Sequence, residues 1–335
     1  MIMSSATLSG PVLSVRDLRV EFPTRNGVLV AIDGVSFDVA PGEGLGVVGE
    51  SGAGKSMTGA AIIGLIEPPG RIAGGEVLLR GQRIDNLSPD QMRKFRGKRI
   101  GMVFQDPLTS LNPLYRIGDQ IVETIRTHLD VTEKAARERA IQLLTEVGIQ
   151  GAKARIDGYP HQFSGGMRQR VVLALALAAE PELIIADEPT TALDVSIQAQ
   201  IIQLLRRLCR ERETAVMLIT HDMGVIAETA DRVAVMYAGR IVEIGPVRDV
   251  VQDPHHPYTQ GLMGSIPTLD SQAPQLAQIP GSMPRLGAIP RGCAFHPRCP
   301  HAFDRCRTER PELIGVGRAE VACWLMSLVR AEASP

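Results

Sequence analysis

The sequence predicts an α/β fold built on a parallel sheet, and three observations lead to this prediction. Residues 183–186 and 215–219 are short aliphatic segments, which are typical of strands buried on both faces. Residues 195–212, between them, have the periodicity of a helix, as a crossover between parallel strands requires. A third apolar segment, 45–48, leads into a glycine-rich stretch that is followed by another helical pattern.

The other elements are predicted from the same periodicities, from the N-terminus onward. Strand character is found at 12–22, 28–39, 76–104, 233–237 and 240–244. A helical pattern runs from Lys55 through Ile66, and the prolines at 68 and 69 are expected to end it. A second helical stretch, 117–148, indicates a helical lobe over about residues 107–167.

Composition limits the classes of protein to which the chain can belong. Of its 335 residues 44% are hydrophobic and 22% charged, and the net charge of -1 gives no reason to expect nucleic-acid binding. No apolar run is long enough to span a bilayer, and residues 1–10 do not resemble a secretory signal. We therefore expect a cytosolic protein with a main domain at 1–254 and a proline-rich extension at 255–335.

The glycine-rich stretch predicts a phosphate-binding loop. Residues 49–56 fit the pattern G-x-x-x-x-G-K-[S/T]. Glycines let backbone N–H groups surround phosphate oxygens, and the following helix presents its positive end. We expect Lys55 to reach the β- and γ-phosphates of ATP, and the Ser56 hydroxyl to bind Mg²⁺. The further nucleotide contacts are expected from Gly49, Ser51, Gly52, Ala53 and Gly54.

Two acidic residues follow the apolar segment 183–186. The first, Asp187, is expected beside Mg²⁺, and the second, Glu188, where a carboxylate can polarise the attacking water. An acidic pair at the end of a strand is often only a solvated turn. Together with the phosphate-binding loop, the pair predicts ATP hydrolysis.

A Ser-Gly-Gly segment distinguishes among the families that have such a loop. Residues 163–169 resemble the signature motif of ABC ATPases, in which Ser164, Gly165 and Gly166 contact the γ-phosphate of ATP at the start of a helix. The motif lies 109 residues after Lys55 and 23 before Asp187, in the arrangement of that family.

The resemblance to ABC ATPases implies roles for four more residues. Gln105 resembles the Q-loop glutamine that senses Mg²⁺, and Asp194 the D-loop aspartate that contacts the opposite subunit. His221 resembles the switch histidine that contacts the γ-phosphate. Phe22 resembles the aromatic residue that stacks on adenine, although a phenylalanine at the end of a strand is as often a core residue.

The resemblance covers nearly the whole chain and implies its architecture. It implies a RecA-like P-loop NTPase core with an N-terminal antiparallel β part, a helical lobe and a Cys-rich C-terminal extension. It also implies a head-to-tail pair of ATPase subunits, in which the P-loop of one faces the signature of the other. The second subunit would be another copy of this chain or a paralogue.

Finer features resemble the ATPases of the dipeptide/oligopeptide importer family. These are the segments 104–113, 186–195 and 256–259. The family resemblance implies two integral membrane permeases, an extracytoplasmic solute-binding protein and a peripheral position on the cytoplasmic face of the inner membrane. Import of nickel or another small solute, and a non-transport ABC ATPase, are the alternatives.

Four of the five cysteines lie within the last 43 residues, and they are Cys293, Cys299, Cys306 and Cys323. The expected compartment disfavours disulfides, and the short Cys pair of most zinc sites is missing. A [4Fe–4S] cluster takes thiolates from more widely separated positions, and the segments around the first two cysteines resemble peptide-importer ATPases, some of which bind such a cluster. The sequence favours this cluster, with zinc or no metal as alternatives.

Overall fold

The structure is a computed structural model that describes residues 10–190, 194–265 and 278–327. The predictions for residues 1–9 and for Ala192 and Leu193 of the D-loop lie outside this part. The strands are β1 (Leu13–Thr24), β2 (Gly27–Val39), β3 (Gly44–Val48), β4 (Arg71–Leu79), β5 (Gln82–Arg83), β6 (Ile100–Val103), β7 (Leu183–Asp187), β8 (Ala215–Ile219), β9 (Arg232–Tyr237), β10 (Arg240–Pro246), β11 (Ile314–Val316) and β12 (Ala319–Val321).

The helices vary from a single turn to 17 residues in length. They are α1 (Lys55–Ile62), α2 (Pro89–Arg93), α3 (Pro107–Ser110), α4 (Ile117–His128), α5 (Glu133–Glu146), α6 (Ala152–Arg155), α7 (Gly165–Leu177), α8 (Val195–Glu211), α9 (Met223–Thr229), α10 (Val247–Gln252), α11 (Pro257–Gly264) and α12 (Asp304–Thr308). Short 3₁₀ turns occur at Pro160–Gln162, Leu286–Ala288 and His296–Arg298. Within the described ranges no helix combines the length and the apolarity needed to cross a bilayer.

The strands form two sheets. The smaller is antiparallel, in the order β2-β1-β4-β5. The larger has eight strands in the order β11-β12-β10-β9-β3-β8-β7-β6. From β9 to β6 neighbouring strands are parallel, whereas β10, β12 and β11 continue the sheet in antiparallel pairing. The predicted parallel sheet with helical crossovers is therefore confirmed, within a sheet that is mixed as a whole.

The central strands are buried on both faces. In β7, Ile184 and Ala186 belong to the hydrophobic core that includes the helical lobe, while Leu183 and Ile185 face a second core shared with the antiparallel sheet. This alternation follows from the pleat of a strand, and it explains why these strands read as continuous apolar runs.

Helix α1 is shorter than the sequence predicted. It ends at Ile62, because Gly64 adopts a left-handed conformation with a φ of 65°. The Gly64 N–H donates to the Ala61 carbonyl, and the Leu65 N–H donates to the Ala60 carbonyl. This pair of hydrogen bonds is the Schellman termination, so the glycine, and not the later prolines, ends the helix.

The extension after residue 254 packs on the rest of the chain. In β12, Val321 pairs with Glu243 of β10, and the Ala322 N–H donates to the Val242 carbonyl. The aromatic side chains of Tyr258 and Phe295 are at most 2% exposed and belong to the core that also contains the helical lobe. Sheet pairing and apolar burial thus hold the extension beside β9 and β10.

His256, at the start of α11, is buried in this contact and 1% exposed. Its Nδ1 accepts a hydrogen bond of 3.0 Å from the Tyr258 N–H, and its own backbone N–H donates to Glu243. Burial lowers the pKa of His256 from 6.5 to about 3. Between pH 6.5 and about 3 the imidazole is therefore neutral in the folded protein, whereas an unfolded histidine is charged.

The stability of the protein is expected to decrease as the pH is lowered, because of His256. Between pH 6.5 and 3 only the unfolded state binds the proton, so the free energy of unfolding falls by about 1.4 kcal/mol per pH unit. In His256→Asn the amide oxygen keeps an acceptor for Tyr258 but does not titrate. Urea unfolding between pH 7.5 and 5 should show a weaker pH dependence for this variant, with the exposed His161→Asn as control. Parallel curves for His256→Asn and the parent would contradict the prediction.

Candidate active site

The phosphate-binding loop joins β3 to α1 and contacts β9 and β2. Gly49 has a φ of 149°, and a Cβ there would lie 2.3 Å from the Met236 carbonyl oxygen. Gly54 has a φ of 104°, and a Cβ there would lie 2.7 Å from Ile32. Both positions therefore require glycine. Among the other predicted contacts, Ser51 and Gly52 are exposed and Ala53 is buried.

Lys55 folds back over the loop. It is 6% exposed, and its Nζ donates to the carbonyl oxygens of Gly49 at 2.9 Å and Glu50 at 3.2 Å. Burial lowers the pKa of Lys55, and the nearby carboxylates of Glu188, Asp187 and Glu50 oppose this shift. The ammonium group thus sits inside the loop that is predicted to surround the phosphates.

Ser56 and Asp187 form the oxygen pair expected for Mg²⁺. The Ser56 Oγ donates to the Asp187 carboxylate at 2.9 Å, which joins the start of α1 to the end of β7. Burial raises the pKa of Asp187, and Glu188 adds to the shift, while the hydrogen bond from Ser56 and the charge of Lys55 oppose it. Since Mg²⁺ prefers hard oxygen ligands and is commonly shared with phosphates, this hydroxyl and carboxylate fit the ion. The ion would supply charge neutralisation at the phosphates.

Glu188 is held in place by contacts from three directions. Its backbone is left-handed, with a φ of 44°, and its N–H donates to the Ile219 carbonyl at 2.8 Å. The Gln105 Nε2 donates to one carboxylate oxygen at 3.1 Å, and the His221 Nδ1 lies 3.2 Å from the other. A non-glycine residue in this conformation costs about 1–3 kcal/mol, which the surrounding contacts must offset.

The three predicted catalytic residues are therefore brought together from different strands. Gln105 follows β6, Glu188 follows β7 and His221 follows β8. Asp222, next to the histidine, caps α9 by accepting from the N–H groups of Gly224 and Val225, which fixes the turn after β8. The side-chain amide of Gln105 contacts Glu188 in this structure. The assignment of Gln105 as a Mg²⁺ ligand therefore stays a prediction.

The signature residues lie at the start of α7. The Ser164 side chain caps this helix by accepting from the Met167 N–H, and a Cβ at Gly166 would lie 2.9 Å from Ile197. In the described part of the chain, no hydrogen bond joins Ser164, Gly165 or Gly166 to the phosphate-binding loop. Asp194 is exposed and precedes α8, with its backbone oxygen as acceptor for Ile197.

Phe22 lies near the end of β1, opposite Leu29 of β2. It is half-buried, and a Cβ on Gly70 would lie 2.6 Å from its ring. The ring thus packs against the segment that follows α1. Adenine stacking by Phe22 stays a prediction.

The sequence analysis did not identify Glu50, Tyr258 and Arg298 as residues of the site, although Tyr258 and Arg298 both contact Glu50 in the loop. Glu50 is a variable position of the motif, and its backbone N–H donates to the Tyr258 hydroxyl at 2.8 Å. Its carboxylate pairs with Arg298 at 3.0 Å. The signals in the sequence were the segment 256–259 and the segment around Cys299, which contains Arg298, and the family resemblance gave neither a role at the loop.

The four cysteines of the extension are free thiols around a cavity of about 10 Å³. Cys306 and Cys323 are buried, and Cys293 and Cys299 pack against the hydrophobic core. Burial raises the pKa of Cys293 to about 11, and it also raises the pKa values of Cys299 and Cys323. Burial therefore favours the protonated thiol form of these cysteines.

The comparisons with known proteins agree with the motifs. The family described as ABC transporter matches residues 32–191, and the oligopeptide/dipeptide transporter C-terminal region matches residues 242–306. The chain is 48% identical to the dipeptide transport ATP-binding protein DppD of Bacillus subtilis, over 94% of each chain. It is 48% identical to the oligopeptide transport ATP-binding protein OppD of Salmonella typhimurium, over 93% of each.

A solved structure shares the fold. The ATP-binding cassette MJ0796, in a dimeric post-hydrolysis state bound to ADP and phosphate, is similar with a TM-score of 0.63 and 28% identity. The match covers 70% of this chain and 99% of the cassette. The unmatched part of this chain is longer than its C-terminal extension alone.

The prediction of an iron–sulfur cluster is wrong. Over residues 10–190, 194–265 and 278–327, no group of three or more His, Cys, Asp or Glu side chains is arranged to hold a metal ion. The two matching families and the two relatives named above are described as transporter families and transport ATP-binding proteins, and none of these descriptions mentions an iron–sulfur cluster. Cys293 and Cys299 instead pack against the hydrophobic core, Cys306 and Cys323 are buried, and the zinc alternative finds no more support.

Two family models thus match separate parts of the chain, residues 32–191 and 242–306. The alignments with the transport ATP-binding proteins, at 48% identity, cover more than nine-tenths of the chain. The geometry of the phosphate-binding loop and of Glu188 agrees with both. The chain therefore belongs to the ATP-binding subunits of the dipeptide and oligopeptide ABC transporter family.

Proposed function

We propose that this chain hydrolyses ATP to drive the import of di- or oligopeptides through separate membrane permeases. The observation that carries the proposal is the placement of Glu188, which is oriented by Gln105 and His221 and adjoins Asp187, itself bonded to Ser56. This arrangement supports ATP hydrolysis, and the similarity to dipeptide and oligopeptide transport proteins supports di- or oligopeptides as the solute class.

In this proposal each residue has a distinct role in phosphoryl transfer. Lys55 and the loop bind the phosphates, and Ser56 and Asp187 would hold Mg²⁺, which would neutralise charge there. Glu188 accepts a proton from the attacking water, while Gln105 and His221 fix the direction of its two oxygens. The left-handed backbone of Glu188 turns the carboxylate out of the line of the strand.

We also propose that two ATPase subunits complete each ATP site. Ser164, Gly165 and Gly166 form an exposed or half-exposed turn at the N-terminus of α7, where backbone N–H groups are available to a phosphate. Among the described residues these groups make no hydrogen bond to the phosphate-binding loop of the same chain, which supports their presentation to the loop of a second subunit. The similar cassette MJ0796 is dimeric.

The permeases are proposed to dock in a groove between β6 and the helical lobe. The groove has a volume of about 670 Å³ and is lined by Phe104, Tyr115 and Gln120, among others. Phe104 is 44% and Tyr115 58% exposed, and the neighbouring Leu114 is 81% exposed. Because Phe104 precedes Gln105, a helix of a permease in this groove would adjoin the residue that orients Glu188.

The remaining parts of the proposal concern the assembly. The chain would work with two permeases and with an extracytoplasmic solute-binding protein that selects the peptide. It would lie on the cytoplasmic face of the membrane. Residues 1–254 would form the nucleotide-binding domain, with the lobe at 107–167, and residues 255–335 the importer-type extension. Uptake of a labelled dipeptide by proteoliposomes that contain the whole assembly tests the solute class, with nickel uptake as the competing outcome.

Replacing Glu188 by Gln should abolish turnover without preventing ATP binding. The amide keeps the contacts to Gln105 and His221 but cannot accept a proton, so we expect kcat to fall by about 100-fold or more. Size-exclusion chromatography with ATP should then detect a stable dimer. Glu180→Gln, which alters an exposed ion pair with Arg139, is the matched control. Hydrolysis at the parental rate by Glu188→Gln would exclude this residue as the base.

Replacing Leu114 and Tyr115 by Ser should release the chain from its permeases. Exposed apolar and aromatic side chains supply much of the binding energy of an interface, so we expect recovery with the permeases in a detergent pull-down to fall by about tenfold or more. ATP affinity of the isolated chain should not change. Val131→Ser, at an apolar position 39% exposed outside the groove, is the control. Unchanged recovery of the double variant would refute docking at this groove.

A further inference from the structure

The C-terminal extension contacts the phosphate-binding loop directly. Arg298 lies in the 3₁₀ turn between two of the cysteines, and its guanidinium donates to both carboxylate oxygens of Glu50, at 3.0 Å each. The two residues are 248 positions apart in sequence. A two-pronged contact of this kind fixes direction as well as distance.

Arg298 is itself rigidly placed. Its side chain is 8% exposed, and its Nε donates to the Pro280 carbonyl at 2.7 Å. The guanidinium also lies 5.8 Å from the ring of Tyr237 and 5.9 Å from that of Phe295. The arginine is therefore fixed by the extension and by β9 before it reaches the loop.

A second contact holds the backbone at the same residue. The Glu50 N–H donates to the hydroxyl of Tyr258, which is fully buried in α11. The Tyr258 ring packs edge-on against Tyr237 at 4.7 Å and lies 5.4 Å from Phe295. The main chain of Glu50 is thus held by Tyr258, and its side chain by Arg298. Both of these residues pack against Tyr237 and Phe295, and we call the three rings of Tyr237, Tyr258 and Phe295 the aromatic cluster.

The charge of Glu50 makes this anchoring relevant to ATP. Lys55 donates to the Glu50 carbonyl, so the carboxylate belongs to the same short loop as the phosphate-binding ammonium. Without Arg298 this carboxylate would be an unpaired negative charge beside the triphosphate, and it could compete for Lys55. With Arg298 it is neutralised and directed toward the extension.

We propose that Arg298 and Tyr258 are positioning residues of the ATP site, through which the extension keeps the phosphate-binding loop in its nucleotide-binding shape and neutralises Glu50. Neither side chain touches the phosphates in this proposal. The extension therefore contributes to ATP affinity, and not to the chemical step.

The test is the affinity of the purified full-length chain for Mg-ATP, measured by calorimetry. Arg298→Met should raise the Kd by about tenfold, equivalent to about 1.4 kcal/mol. Glu50→Gln should raise the Kd by about threefold, because the loop loses one anchor but is left with no unpaired charge. The double variant Glu50→Gln/Arg298→Met should recover to within about threefold of the parent.

This recovery separates electrostatic positioning from simple structural support. If Arg298 only stabilised the fold, the double variant would bind ATP as poorly as Arg298→Met, and the proposal would be overturned. It would also be overturned if Arg298→Met bound ATP like the parent. Arg305→Met is the matched control, because Arg305 belongs to the extension but pairs with Glu309 and stacks on Trp324.

A milder variant covers the case in which Arg298→Met does not fold. Tyr258→Phe removes only the acceptor for the Glu50 N–H, and we expect the Kd for Mg-ATP to rise by about fivefold. In the assembled transporter the KM for ATP should rise while kcat changes little. Parental ATP affinity in Tyr258→Phe, or a loss confined to kcat, would overturn the proposal.

Discussion

The parallel pairing of four strands determines where the chemistry of this protein takes place. Val47 of β3 pairs with Ile219 of β8, which in turn pairs with Asp187 of β7, and Ala186 pairs with Val103 of β6. The C-terminal ends of parallel strands in register lie side by side at one end of the sheet, so the segments that follow them meet there. The phosphate-binding loop and the three residues Gln105, Glu188 and His221 are neighbours for this reason.

At this end of the sheet the charges of Lys55, Asp187 and Glu188 lie close together. Burial lowers the pKa of Lys55 and raises that of Asp187, and each of these groups moderates the shift of the other. Such a set of half-buried charges is costly for the protein alone, and it suits a ligand that brings both phosphate oxygens and a cation. The left-handed backbone of Glu188 is a further cost at the same point.

The sequence predicted the parts of the site that depend on local order. The loop, the acidic pair, Gln105 and His221 each follow a strand with a clear apolar pattern, so parallel pairing was enough to bring them together. It did not predict the contact of Glu50 with Arg298, because an ion pair across 248 residues leaves no mark in either segment. The termination of α1 at Gly64 was visible in principle, but the two later prolines were the more obvious signal.

The error about the cysteines has a physical explanation that also bears on the loop. Clustered thiols in a proline-rich segment suggested a metal, because the extension was not expected to have a core of its own. The structure instead supplies that core from elsewhere, as Tyr237 of β9 packs with Tyr258 and Phe295. The aromatic cluster that stabilises the extension is the one that anchors Glu50. Because coupling free energies are reciprocal, a nucleotide that favours the anchored loop must stabilise the docked extension by the same amount.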